Sequence, residues 1–257
     1  MDIYRKELNE IYEAQRLGSE TLDPVCISAL RERVGAMVEL NDGCAVVTDA
    51  SCDRCWLYAG GFGPLMGVSE SPQCCIEVDS SDEDLLYVRM HPEDLVEKRM
   101  LEYELFRRAD SVTTDEKCAL KATCSIRIRD ASGAYRVIDN STQVCRLSPG
   151  GKIWLILCCY ALSPDTDHAG DIRPRIIDTR SGRVTAFSFE SRRRNLLSPR
   201  EKEILTLIRE GMPSKQIADR LGISVHTVSR HRQNILDKLS VGNSVEAVAA
   251  ASAMRLL

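Results

Sequence analysis

What the 257-residue chain lacks narrows its class first. No stretch approaches the ~18 uninterrupted apolar residues that a membrane helix needs. The longest strongly apolar run, 153–162, has the length of a strand. The opening residues, Met1-Asp2-Ile3-Tyr4-Arg5-Lys6, are charged and lack the apolar centre of a secretion signal, so a cytoplasmic protein without membrane contact is expected. There is no internal repeat and no low-complexity tract, which excludes collagen-like and wholly disordered chains. With 44% hydrophobic and 28% charged residues, the composition is globular and large enough to bury real cores. No nucleophile–base arrangement stands out, so an enzyme is not expected.

Eleven cysteines resemble a disulfide framework only in number. The count is odd, no export signal precedes them, and several lie inside apolar runs such as Leu157-Cys158-Cys159-Tyr160. Mostly reduced core thiols are expected. Cys52, Cys55, Cys74 and Cys75 leave three readings open: four thiolates on zinc, a redox switch, or unligated thiols. The adjacent pair Cys74-Cys75 makes an awkward half of a zinc site, which normally uses spaced knuckles.

Charge is divided unevenly. Of 34 basic and 38 acidic residues, 9 and 6 fall in 195–257, so that segment is +3 and residues 1–194 are −7. An acidic body and a mildly basic tail point to two domains, the tail meeting a polyanion.

Along the body, residues 3–16 place Ile3, Leu8, Ile11 and Tyr12 on one helical face. Asp23-Pro24 opens a second helix with the stripe Val25, Leu30, Val34 and Val38, broken at Asn41-Asp42-Gly43. These make residues 1–43 a helical segment. Short strands follow at 44–48 and 55–59, then an irregular passage through Gly60, Gly61, Gly63 and Pro64. His91-Pro92-Glu93-Asp94 reads as a helix start, with Leu95, Met100, Leu101, Leu105 and Phe106 on its buried side. Three long strands, 118–129, 134–147 and 152–162, are separated by turns at 130–133 and 148–151, which predicts an antiparallel meander. Residues 166–194 read as a linker that includes a short hairpin, 172–178 with 183–189, and the basic hinge Arg192-Arg193-Arg194.

The tail is the most informative part. Ser198-Pro199-Arg200-Glu201 is a capping box with proline at the first helical position. Ile204, Leu205 and Ile208 form that helix's buried face, and Gly211 ends it. Ser214 is expected to cap a second helix whose inward residues are Ile217, Ala218 and Leu221, closed by Gly222. Ser224 caps a third, with Val225, Val228, Ile235, Leu236 and Leu239 inward. Asn243 or Ser244 opens a fourth. Two short helices joined by Leu221-Gly222-Ile223-Ser224 describe a helix-turn-helix, whose second helix lies in the DNA major groove. The outward residues of that helix, His226, Thr227, Ser229, Arg230, Arg232 and Gln233, can all donate hydrogen bonds, and no acid precedes Asp237. Arg200, in the first helix, and His231 read as structural.

Ser198-Pro199-Arg200-Glu201, Ser214-Lys215-Gln216-Ile217-Ala218, Leu221-Gly222-Ile223-Ser224, Thr227-Val228, His231-Arg232, Lys238-Leu239 and Glu246-Ala247 resemble the LuxR-type (NarL- or GerE-type) four-helix DNA-binding domain. The resemblance covers about a quarter of the chain. It implies that Ser229, Arg230 and Gln233 face bases; Ser224 and His226, at the start of the same helix, are also expected among the DNA-binding residues. It implies that Lys215, Thr227, Arg232 and Lys238 serve the DNA backbone, and that Val245, Val248, Ala249 and Ser252 form a dimer contact. Ser244 departs from the family, which often carries Arg there, so one backbone contact is in doubt.

The body's order of elements resembles a PAS domain over 44–165. A phosphoacceptor receiver is rejected, because that domain begins with parallel β/α units. The aromatic and acidic set of acyl-homoserine-lactone receptors is not reproduced by Trp56 and Tyr58. No cofactor is assigned: the flavin-photosensor Asn-Cys-Arg motif is absent, and His91 and His168 read as surface or capping residues rather than haem ligands. The expected fold is therefore α+β, a PAS-like antiparallel sheet with helices followed by an all-α domain at 195–257. The expected partners are double-stranded DNA and a second copy of the chain, with RNA polymerase as a further candidate and the small-molecule ligand unknown. Two rivals remain: a redox-, zinc- or enzyme-active body with a docking tail, and a sigma-factor-like promoter reader.

Overall fold

A computed structural model describes residues 8, 10–11, 17–80, 83–166, 170–189, 195–239, 241–254 and 256–257. The chain divides into two compact units, the body at 8–187 and a second unit containing residues 188–257. Among the described residues no helix is long and apolar enough to cross a membrane.

In the body, helix α1 (Pro24–Asn41) starts where the sequence signals it. The Asp23 carboxylate accepts from the Val25 amide at 2.9 Å, and Pro24 occupies the first turn. It stops at Asp42, which adopts a left-handed φ of 56°. Strands β1 (Cys44–Asp49) and β2 (Arg54–Ala59) pair antiparallel, followed by the short helix α2 (Phe62–Met66) and strand β3 (Cys74–Val78). Gly60 is needed at the crossing after β2, because a Cβ there would lie 2.8 Å from Cα of Asp42. Helices α3 (Asp84–Tyr87), α4 (Pro92–Asp110) and α5 (Thr114–Lys117) precede the long strands β4 (Leu120–Arg129), β5 (Tyr135–Leu147) and β6 (Ile153–Leu162). A hairpin, β7 (Arg175–Asp178) and β8 (Val184–Ala186), ends the body.

The strands form one eight-stranded antiparallel sheet, in the order β3-β2-β1-β6-β5-β4-β7-β8. The period-two pattern of its strands divides the core. Ala45, Val47, Trp56, Tyr58 and Leu157 face α1, where Val34 and Val38 meet them. Residues of opposite parity, Thr142, Cys158 and Tyr160, face the interior that α3 and α4 close.

The expected α+β architecture and the three-strand meander are present. Two features of the sheet depart from the sequence reading. The hairpin expected inside a linker is instead the far edge of the sheet, because β7 pairs with β4 from Leu120↔Asp178 to Thr123↔Arg175. Strand β3 was not anticipated; its hydrogen bonds run to β2, and nothing in its five residues announces them. Of the expected helix at 3–16, Leu8, Glu10 and Ile11 are helical and the other positions, among them Ile3 and Tyr12, lie outside the described residues, as do His168 and Arg192-Arg193-Arg194.

In the second unit, helices α6 (Pro199–Arg209), α7 (Ser214–Leu221), α8 (Val225–Leu239) and α9 (Ser244–Ala253) form an all-α domain. Helix α8 packs on α6, α7 and α9, and α9 also packs on α6. Its core is Ile204, Leu205, Leu207, Ile217, Ala218, Val228, Ile235 and Leu239, closed by Ala247, Ala250 and Ala251.

Candidate nucleic-acid interface

The tail's helix ends are built from short-range hydrogen bonds. At α6 the Ser198 hydroxyl accepts from the Glu201 amide at 3.3 Å, and the Glu201 carboxylate accepts from the Ser198 amide at 2.8 Å. Lys238, near the end of α8, donates to the same Glu201 carboxylate at 2.7 Å. Burial alone would raise the Glu201 carboxyl; the Lys238 and Ser198 hydrogen bonds outweigh it and hold the pKa below its ordinary value. Helix α7 ends at Gly222, left-handed at φ 64°, whose amide caps the carbonyls of Ala218 and Asp219. Ser224 then caps α8 by accepting from the Thr227 amide at 3.0 Å. Asn243 caps α9 through the amides of Val245 and Glu246.

Three details correct the sequence reading. Ser214 is the first residue of α7 rather than its cap, a position held by Pro213 without a side-chain bond. Val225, expected inward, is 47% exposed because it sits in the first turn, before α8 reaches its neighbours. Leu207 is buried in α6, where Ile208 is only half-buried. Arg200 is structural as expected, donating to the Leu221 carbonyl at 2.9 Å and to Glu203 at 2.6 Å.

The buried residues Val228, Ile235 and Leu239 occupy one side of α8. His226, Ser229, Arg230 and Gln233, at three- and four-residue spacing, lie together on the exposed side. The Ser229 hydroxyl bonds back to the Val225 carbonyl, and Gln233 donates to Asp237 at 2.9 Å. Lys215 and Arg230 are exposed and have no side-chain partner among the described residues. Thr227, Arg232 and Lys238 are half-buried and bonded within the domain. On α9, Val245 is 81% exposed, Ala249 and Ser252 are exposed and Val248 is half-buried, so the four make an outward stripe with Ala247, Ala250 and Ala251 behind it. His231 is half-buried, in line with a packing role.

The body holds a different set of polar groups. Lys98, fully buried on α4, donates to Glu102 at 2.5 Å and to the Tyr87 hydroxyl at 3.1 Å, and lies 3.9 Å from Glu83. The Tyr160 hydroxyl donates to Glu83, and Thr142 donates to Glu102 at 3.2 Å. Burial opposes the charge on Lys98, but Glu102, Tyr87 and Glu83 hold its proton firmly and raise its pKa well above the ordinary value. Burial raises the Glu83 carboxyl, with Lys98 opposing. These residues were missed by sequence reasoning, since Glu83, Lys98 and Thr142 meet only across the fold.

His91, Glu93 and Asp94 bring possible ligand atoms within 4.8 Å of one another. Arg127 already answers both acids, at 2.5 Å to Asp94 and 3.1 Å to Glu93. His91 stands at the N-cap position of α4 without a side-chain capping bond, its ring edge-on to Tyr135 at 5.3 Å. The four cysteines considered for zinc are not brought together. Cys55 pairs opposite Val78 and Cys74 opposite Ala59, which separates the two pairs by four residues of β2, about 13 Å. The expectation of mostly buried thiols also needs amending: Cys44, Cys55, Cys124 and Cys158 are buried, whereas Cys52, Cys75 and Cys118 are exposed. An alternating strand sends every second residue outward, and turns send more.

Comparison with known proteins bears on the tail. Residues 195–251 match the family described as bacterial regulatory proteins, luxR family. The chain is 41% identical over 61 residues to the transcriptional regulatory protein UhpA of Escherichia coli K12, covering 24% of this chain and 31% of UhpA. It is 47% identical over 53 residues to the nitrate/nitrite response regulator NarL of the same strain, covering 21% of this chain and 24% of NarL. The chain thus spans less than a third of the length of these curated relatives. Among solved structures, the phage VqmA–DPO complex aligns over 88% of this chain and 89% of its own, at 17% identity and a TM-score of 0.31.

Proposed function

We propose, from the luxR-family helix-turn-helix domain that residues 195–251 form, that this chain is a DNA-binding transcription regulator acting as a homodimer. The N-terminal half of α8 enters the major groove of duplex DNA. The observation that carries this is the outward face of α8: His226, Ser229, Arg230 and Gln233 are exposed together, while Val228, Ile235 and Leu239 anchor the opposite side. Such a face matches base-edge acceptors and phosphate oxygens. Arg230 reads a base and Lys215 reaches a phosphate. Ser224 and Thr227 cap the helix that enters the groove. The stripe Val245, Val248, Ala249 and Ser252 joins two copies, spacing their recognition helices on two half-sites.

For the body, the reading is a PAS-like sensory module. The order of a strand pair, helices and three long strands in β1–β2, α2–α4 and β4–β6 supports it. A signal acts on the tail only insofar as it binds one arrangement of the chain better than another. No catalytic step is assigned, and RNA polymerase is the natural further partner of a regulator bound at a promoter.

The test is Arg230→Ala. Specific operator affinity falls by about 1–3 kcal/mol in a mobility-shift titration at constant salt, with discrimination relaxed at one base pair. Equal affinity of variant and wild type discards this assignment.

A further inference from the structure

The cations of α8 divide by what their nitrogens already hold. We propose that Arg232 is a positioning residue, which sets the angle of the recognition helix and holds no DNA phosphate. This rests on the DNA-binding reading above.

One guanidinium Nη of Arg232 donates to the Ser214 hydroxyl at 3.0 Å and the other donates to the Ser244 hydroxyl at 2.8 Å. Ser214 is the first residue of α7, and Ser244 is the first residue of α9. The side chain therefore joins the starts of the two helices that flank α8. A planar guanidinium fixes the directions of both bonds at once, which a flexible ammonium cannot do. All three side chains are half-buried. One turn and a half further on, Lys238 makes a third tie, to Glu201 in the capping box of α6. Helix α8 is thus held to the first turn of each of the other three helices.

A phosphate contact from Arg232 would have to break this clamp. Hydrogen bonds to a charged group are among the stronger ones in a folded protein. Arg230 and Lys215, by contrast, are exposed without a side-chain partner among the described residues and need break nothing. The clamp also gives Ser244 a role. A side chain short enough to accept there lets Arg232 span from α7 to α9.

Salt dependence separates a clamp from a phosphate ligand. Each lost phosphate contact lowers the slope of log K against log salt by about one, whereas a misplaced helix weakens binding at every salt concentration. The full-length chain is titrated, over a range of salt, with a duplex selected by the wild-type protein from a random-sequence pool. Arg232→Ala should weaken binding by about tenfold with an unchanged slope. Arg232→Lys should not restore it, because it keeps the charge and loses the two-armed geometry. The double variant Ser214→Ala/Ser244→Ala, which leaves every charge in place, should reproduce the loss, and adding Arg232→Ala to it should cost little more. Lys215→Ala serves as the phosphate control and should lower the slope. Thermal melts followed by circular dichroism accompany each variant; if Arg232→Ala loses its helices, the serine pair still decides the matter. A slope lowered by about one in Arg232→Ala, rescue by lysine, or full affinity in the serine pair each overturns the clamp. A wild-type chain with no salt-sensitive duplex binding overturns the regulator reading itself.

Discussion

The two units handle polar side chains in opposite ways. In the body, Lys98, Glu83 and Glu102 are buried together, and their partners Tyr160 and Thr142 come from β6 and β5. In the tail, polar side chains sit at helix ends, and most bond within three or four residues: Ser198 with Glu201, Ser224 with Thr227, Asn243 with Glu246. A buried ionic group is a costly element of a core, and its hold depends on every partner arriving. A cap satisfies backbone groups that the helix exposes in any case, so it acts locally. The body is therefore the unit with the more brittle interior, and the helix caps of the tail are parts that can be altered singly.

The largest expected effect tests the body. Lys98→Met leaves Glu83 and Glu102 buried without their cation, and should destabilise the body by about 3–5 kcal/mol in urea unfolding. Adding Glu102→Gln should recover part of that loss. A change below 1 kcal/mol for Lys98→Met would show that the cluster is not the brittle point described.

A smaller effect tests the tail. Ser198→Ala removes one cap acceptor and should cost the tail about 1 kcal/mol by thermal unfolding, without disturbing the remaining helices. A cost as large as that of Lys98→Met would erase the contrast between the units.

The smallest effect is one of sign. The Glu201 pKa is lowered on folding, so its contribution is present above the ordinary carboxylate value near 4.5 and is lost as pH falls through the lowered folded value. The Glu83 pKa is raised, so at this site stability is greatest at low pH and is lost as pH rises through the raised value. Acidification through the carboxylate range should therefore loosen the tail at Glu201 while favouring the body at Glu83. Unfolding profiles against pH for Glu201→Gln and Glu83→Gln, each compared with the wild type, should differ in opposite directions. Shifts of the same sign would refute the assigned directions.

Legibility follows the same division. The start of α1 at Asp23-Pro24, the capping box of α6, the glycine that ends α7 and the caps of α8 and α9 could be read from neighbouring residues, because the chemistry that forms them lies within one turn. So could the outward face of α8, through its spacing. The partners of Arg232 and Lys238 could not. Ser214 lies 18 residues before Arg232, and Glu201 lies 37 before Lys238. Read singly, each is an exposed-type cation on the second helix of a helix-turn-helix; in the fold each is bonded within the domain. Strand β3 and the attachment of β7 to β4 were hidden for a related reason, since a short strand is stabilised by a neighbour that its own residues do not specify.

What this sequence determined alone was local. Turn residues, caps and periodic apolar positions decided where most helices and the long strands begin, and which side of most of them turns inward, because those preferences act over one or two turns of chain. Tertiary structure alone decided which polar groups distant in sequence meet: that Lys98 lies between two acids, that Cys55 and Cys74 stand at opposite ends of a strand pair, and that Arg232 bridges two serines. Such meetings depend on distances closed by packing, and a linear order of residues carries no distance beyond its neighbours.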